Sequence, residues 1–170
     1  MRLQILVLTL LASLLLTTAA HAQESRFGLG GVIGQPTGVT MKWNIGSSNG
    51  IELAAGFGGF YGNHLHIHAA YMWEFEMVQM DRARMDLYVG IGPKIGYFDR
   101  WRGYCGGARR DRWDCGDRGQ VWFAARAPVG LDFVFKQRPL DVYVELAPGL
   151  YFFRHVGFSI DAAAGARYWF

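Results

Sequence analysis

A two-residue rhythm of fixed polarity runs along nearly the whole chain, and it restricts the fold more than any other feature. Eight stretches read as strands, at about residues 26–34, 37–45, 51–60, 64–75, 85–98, 120–135, 140–152 and 156–170. Successive side chains of a strand point to opposite faces, so each stretch carries two registers. One register is apolar throughout, as in Val39, Met41, Trp43 and Ile45, or in Leu140, Val142, Val144, Leu146, Pro148, Leu150 and Phe152. It holds no charge, no amide and no aliphatic hydroxyl. The opposite register holds Lys42, Glu52, His64, His66, His68, Glu74, Asp86, Lys94, Arg126, Asp132, Asp141, Glu145, Asp161 and Arg167.

A barrel in water needs apolar side chains inside and charges outside. A barrel in lipid needs the reverse, because a charge on the lipid face at mid-depth costs about 2–4 kcal/mol. The expected fold is therefore all-β: an eight-stranded, antiparallel, up-and-down transmembrane β-barrel. Eight strands leave a lumen just wide enough for side chains. The inner charges must then pair, since a lone desolvated charge is costly. Lys42, Glu52, Arg126, Glu145, Asp161 and Arg167 are the expected lumen network, with the last four on neighbouring strands. This predicts a lumen plugged by its own salt bridges; a narrow pore is the alternative. Pro93, Pro128 and Pro148 fall inside strands, where proline usually marks a bulge that can flip the faces beyond it. Residues 76–84 read as a polar connection with helical propensity.

Residues 1–22 have the layout of a cleaved secretory signal peptide: Arg2, an apolar run from Ile5 to Leu16, and the small-residue site Ala20-His21-Ala22. The apolar run is shorter than the roughly 20 residues of a spanning helix. Residues 23–170 then form one barrel domain. The 23 glycines and 15% aromatic content suit tight turns and aromatic girdles. A formal net charge of +3 leaves no footprint for nucleic acid. Export implies an oxidising compartment, so Cys105 and Cys115 are expected to form a disulfide. With residue 23 on the periplasmic side, the longest connection, 99–119, falls on the extracellular side.

The last stretch ends in Tyr168, Trp169 and Phe170, with Tyr168 and Phe170 closing an uninterrupted apolar face. It resembles the C-terminal assembly signal of bacterial outer-membrane β-barrels, which implies contact with the barrel assembly machinery. Two further stretches, Gly28-Leu29-Gly30-Gly31-Val32-Ile33-Gly34-Gln35-Pro36-Thr37-Gly38-Val39-Thr40-Met41-Lys42-Trp43 and Arg138-Pro139-Leu140-Asp141-Val142-Tyr143-Val144-Glu145-Leu146-Ala147-Pro148-Gly149-Leu150, resemble a family of small bacterial outer-membrane barrel proteins with no assigned activity. The resemblance implies an eight-stranded barrel of the general OmpA/OmpX shape in the outer membrane. It carries over no catalytic residue, and the loop with the two cysteines is outside the shared pattern.

Three groups of residues suggest chemistry, and each has a plainer alternative. His64, His66 and His68 share a face and are candidate metal ligands. Their spacing of about 7 Å, twice the strand rise, is too wide for one ion, so a polar lumen lining is favoured. The loop sets Arg100, Arg102, Arg109, Arg110, Arg112 and Arg118 beside Trp101, Tyr104 and Trp113, with Asp99, Asp111, Asp114 and Asp117. Arginine matches phosphate in a bidentate way and aromatics suit the headgroup level, so lipopolysaccharide phosphates or an unknown surface ligand are candidate partners. A self-neutralised, solvated loop is the plainer reading. A lipid A-modifying hydrolase needs a serine within reach of an oriented base. Ser47 and Ser48 have no nearby histidine in sequence, and His155 and Ser159 lie more than about 13 Å apart along a strand. No catalytic residue and no cofactor is therefore expected. A soluble periplasmic ligand-binding barrel, with the faces reversed, is the remaining alternative.

Overall fold

The computed structural model describes residues 26–58, 64–98, 120–153 and 155–170. Nine strand segments occur among them: β1 (Phe27–Gly34), β2 (Thr37–Asn44), β3 (Asn49–Gly58), β4 (His64–Gln79), β5 (Ala83–Phe98), β6 (Gln120–Arg126), β7 (Val129–Phe135), β8 (Leu140–Phe153) and β9 (His155–Trp169). All pairings are antiparallel, and β1 pairs with β9 to close the sheet into a ring. β6 and β7 are two halves of one stave, interrupted at Ala127 and Pro128. Both halves lie between β5 and β8. The ring therefore has eight staves, and closure leaves no exposed edge.

The stagger follows from the register. A path of cross-strand partners runs Trp122, Gly96, His66, Gly56, Gly38, Val32, Gly165, Tyr143, Asp132. It returns to the same stave ten residues further along, from 122 to 132. An eight-stranded barrel with this shear has strands tilted by about 40°. Side chains far apart in sequence and on non-adjacent staves are thereby brought to one level.

The prolines do not flip the faces. Gly92 pairs with Arg126 on one side of the break and Val89 with Val129 on the other, with no register shift. Proline lacks only a donor. Pro128 and Pro148 still accept through their carbonyls, from Gly90 N at 2.8 Å and from Ala127 N at 2.9 Å. Among the described residues the register shifts between Glu76 and Val78, where no proline stands.

Residues 76–84 are also not a helical connection. β4 and β5 continue as a paired hairpin past Glu76, and only Met80, Asp81 and Arg82 form the turn. Met80 N donates to Ala83 O at 2.9 Å, and Lys136 Nζ donates to Met80 O at 2.9 Å. Ladder pairing outweighs a weak helical propensity here.

The faces follow the alternation. Phe57, Trp43, Ile33, Leu146, Phe158 and Phe152 are exposed on the outside, each at 58–68%. Val32, Ala70, Met72, Tyr88 and Tyr143 pack together inside. Four inward aromatics lie against glycines that are their direct cross-strand partners: Trp169 on Gly28, Trp122 on Gly96, Tyr143 on Gly165 and Tyr88 on Gly130. A Cβ at Gly96 would come within 2.2 Å of the Trp122 ring, and one at Gly165 within 2.6 Å of Tyr143. Rings so placed fill a narrow interior that a second side chain could not share.

Candidate functional site

Among the described residues the buried charges gather in the lumen. The end at which β1 begins and β9 ends, here the terminal rim, has Arg167 at its centre. Arg167 donates from Nε to Asp141 at 3.0 and 3.1 Å, from Nη1 to Glu52 at 2.8 Å and from Nη2 to Asp132 at 2.8 Å. Its guanidinium also lies 4.2 Å from the centre of the Tyr143 ring. Lys42 Nζ reaches Asp132 at 2.9 Å and Glu74 at 2.8 Å. Trp169 Nε1 donates to Asp141 Oδ2 at 2.9 Å. Asp132 is thus shared by two cations, and six charged side chains from six staves form one connected group.

Higher in the lumen the pairs are separate. Arg126 Nη2 donates to Glu145, whose other oxygen accepts from Tyr88 OH at 3.3 Å. Lys94 Nζ meets Asp161 at 2.6 Å and sits 5.2 Å from the centre of the Trp122 ring. His66 and His68 are buried with ring centres 6.0 Å apart, and His66 stands edge-on to Trp122 at 6.4 Å.

Of the six residues expected to form the network, the structure joins Arg126 with Glu145, and Arg167 with Glu52. Lys42 meets Arg167 through Asp132. Asp161 pairs with Lys94. Asp132, Asp141, Glu74 and Lys94 join them beyond the expected network, and all four lie in the charged register. Knowledge of the shear is what would have selected them, since partners such as Glu52 and Arg167 are 115 residues apart.

His64 belongs to β4, opposite Phe98, and its side chain is outside the described residues. Among the described residues no group of three or more His, Cys, Asp and Glu is arranged to hold a metal ion. Ser47 and Ser48 lie in the turn before β3, with hydroxyls 3.5 Å apart. Tyr168 and Phe170 sit on the outer face at the terminal rim, rings 5.0 Å apart, where Phe170 N donates to Phe27 O at 2.9 Å. Cys105 and Cys115 lie outside the described residues, as do Arg100, Trp101, Arg102, Arg109, Arg110, Arg112 and Trp113.

The outer face carries aromatics at two heights. Phe27, Trp43, Trp73, Phe75 and Phe170 stand toward the terminal rim; Phe57, Tyr97, Phe123, Phe152 and Phe158 stand toward the other, the loop rim. Between them the outward side chains are aliphatic. This is the layout of a lipid-facing band with girdles at both interfaces.

No family model matches the chain, and no curated protein matches it. Solved structures do. The N-terminal β-barrel domain of OprF from Pseudomonas aeruginosa aligns with 85% of this chain and 95% of its own, at a TM-score of 0.57 and 11% identity. Ail, the attachment invasion locus protein of Yersinia pestis, aligns with 86% of this chain and 97% of its own, at a TM-score of 0.44 and 12% identity. The likeness to OprF is one of fold. The chain shares the eight-stranded antiparallel barrel fold.

Proposed function

We propose that the protein is a small barrel of the bacterial outer membrane that is closed to ions and presents loop 99–119 as an interaction surface. The inversion of polarity carries this reading: buried charges inside, exposed large apolar side chains outside. Residues 1–22 export the chain and are removed. The C-terminal strand, with Tyr168 and Phe170, is the handle for the barrel assembly machinery. The rim with the termini and the short turns faces the periplasm, and loop 99–119 faces outward. The disulfide Cys105–Cys115 ties that loop. Its arginines and tryptophans meet lipopolysaccharide phosphates or a surface partner. The role is structural and interactive, with no catalytic step.

The closed lumen is supported by the group around Arg167, which spans the interior at the terminal rim. Single-channel recording in planar bilayers tests it. The expected result is no resolved conductance from heat-modifiable protein; regular openings would replace the plug with a narrow pore. Binding to phosphorylated lipid A tests the loop. Replacing Arg109, Arg110 and Arg112 should weaken a salt-sensitive interaction, and unchanged binding would remove lipopolysaccharide as the partner.

A further inference from the structure

At the terminal rim β4 outruns its neighbour on one side only. Its last ladder partner on β3 is Asn49, opposite Trp73, and Glu74 N donates to Ser48 O at 2.8 Å. From Phe75 to Gln79 the strand has no backbone partner on that side among the described residues. The other side of the hairpin is covered. There β5 pairs with β7 as far as Ala83 with Phe135, and Lys136 N donates to Arg82 O at 3.0 Å. Residues two apart in a strand share an edge, so Glu76 turns its backbone N–H and C=O the way Glu74 does, with nothing described to meet them. The same stretch is apolar on its outer face. The register shift leaves Met77 and Val78 both opposite Met85, and Met80 follows. Met77, Val78 and Met80 are 56%, 43% and 43% exposed. They lie beyond Phe75, past the girdle that ends the lipid-facing band.

A free edge and an apolar row make opposite demands on their surroundings. Water satisfies the edge and not the row. Hydrocarbon satisfies the row and leaves the backbone groups unpaired. A second copy serves neither: two barrels in one membrane, related by an axis along its normal, would cross their β4 strands at roughly 80°, twice the strand tilt. An added strand from another protein meets both demands, through ladder bonds to the edge and side chains laid on the row. Charge narrows its composition. Glu76 is exposed at the free edge and Asp81 at the tip. The cations nearby are engaged or lie on the covered side: Lys42 holds Glu74, Arg84 holds Asp86, Lys136 Nζ donates to Met80 O, and Arg82 stands beside Lys136. We propose that the edge of β4 from Phe75 to Gln79 receives an extended segment of a periplasmic protein, in which apolar residues alternate with lysine or arginine.

The partner's compartment rests on the orientation proposed above. The edge does not, and conductance through the lumen would overturn the plug while leaving the edge as it is. The full protein in nanodiscs of zwitterionic lipid is titrated with a short labelled peptide of alternating valine and lysine. Binding is read by fluorescence anisotropy, and backbone hydrogen exchange is followed at Glu76. The expected result is saturable binding that slows exchange of the Glu76 amide. The same peptide N-methylated at alternate residues keeps its composition but cannot add to a ladder, and it should not bind. Glu76→Pro removes only the donor at the free edge, since that N–H lies outside the β4–β5 ladder, and should weaken binding by about tenfold. Glu76→Lys should weaken it in a salt-sensitive way. Absence of saturable binding would overturn the proposal. So would binding that N-methylation leaves unchanged, which marks adsorption to lipid, and binding that spares the Glu76 amide, which places the peptide elsewhere. Protection of that amide without peptide, in discs holding two barrels, would give the edge to a second copy instead. The native protein and the two peptides decide these outcomes even if a variant does not fold.

Discussion

The two halves of the lumen solve the same problem differently. At the terminal rim each cation serves several carboxylates: Arg167 holds Glu52, Asp132 and Asp141, and Lys42 holds Asp132 and Glu74. Toward the loop rim each cation has one carboxylate, Arg126 with Glu145 and Lys94 with Asp161. A shared hub ties non-adjacent staves together across the interior. An isolated pair ties only two. Cross-stave ties thus gather at the end where the chain closes on itself, and two-stave pairs at the other.

The difference predicts a graded response to mutation. Arg167→Met should be the most damaging change, because it removes the guanidinium shared by three buried carboxylates, leaving Asp132 to Lys42 and Asp141 to Trp169. The loss should be at least about 3–5 kcal/mol, the cost of breaking a buried pair. Urea unfolding followed by the boiled-to-unboiled gel shift would measure it; a loss near 1 kcal/mol would mean that the hub is not connected. Arg126→Met should cost less, about 2–3 kcal/mol, because Tyr88 still donates to Glu145. Adding Glu145→Gln should recover part of that loss, which a double-mutant cycle would show.

On the outer face, Leu146→Arg should cost about 2–4 kcal/mol in bilayers, since Leu146 lies between the girdles and is 58% exposed. If the cost were within 0.5 kcal/mol, the position would not face lipid. Gly165→Ala should cost about 1–3 kcal/mol, because the new Cβ runs into Tyr143. The same substitution in a Tyr143→Ala background should cost less, and equal costs would separate the ring from the glycine. The smallest effect is expected for Ser159→Ala, within about 0.5 kcal/mol, in the loosely committed upper half.

Much of this was legible in the sequence, and what was not has a common cause. The faces were readable because alternation is a local property, so Lys42, Glu52, Arg126 and Arg167 fell inside without any knowledge of pairing. The partners were not readable. Asp132 reaches Arg167 and Lys42 only because the stagger brings their staves to one level, and stagger is a property of the closed ring. The aromatic–glycine contacts depend on register in the same way: nothing local to Trp122 announces Gly96. Two local rules also yielded to pairing. Proline was expected to bulge the strands, yet Ala127–Pro128 interrupts a stave without shifting it. The helical tendency of 76–84 gave way to a hairpin held by Lys136.

The tryptophans offer the most direct check on the inverted polarity. Trp43 and Trp73 are exposed on the outer face, while Trp122 and Trp169 are buried in the lumen. Variants retaining one tryptophan each can be reconstituted in vesicles of lipids brominated along the acyl chain, and quenching of the remaining indole measured. Strong quenching of Trp43 and Trp73 with little of Trp122 and Trp169 is the predicted result. Quenching of the inner pair with the outer pair spared would contradict the account and turn the barrel inside out.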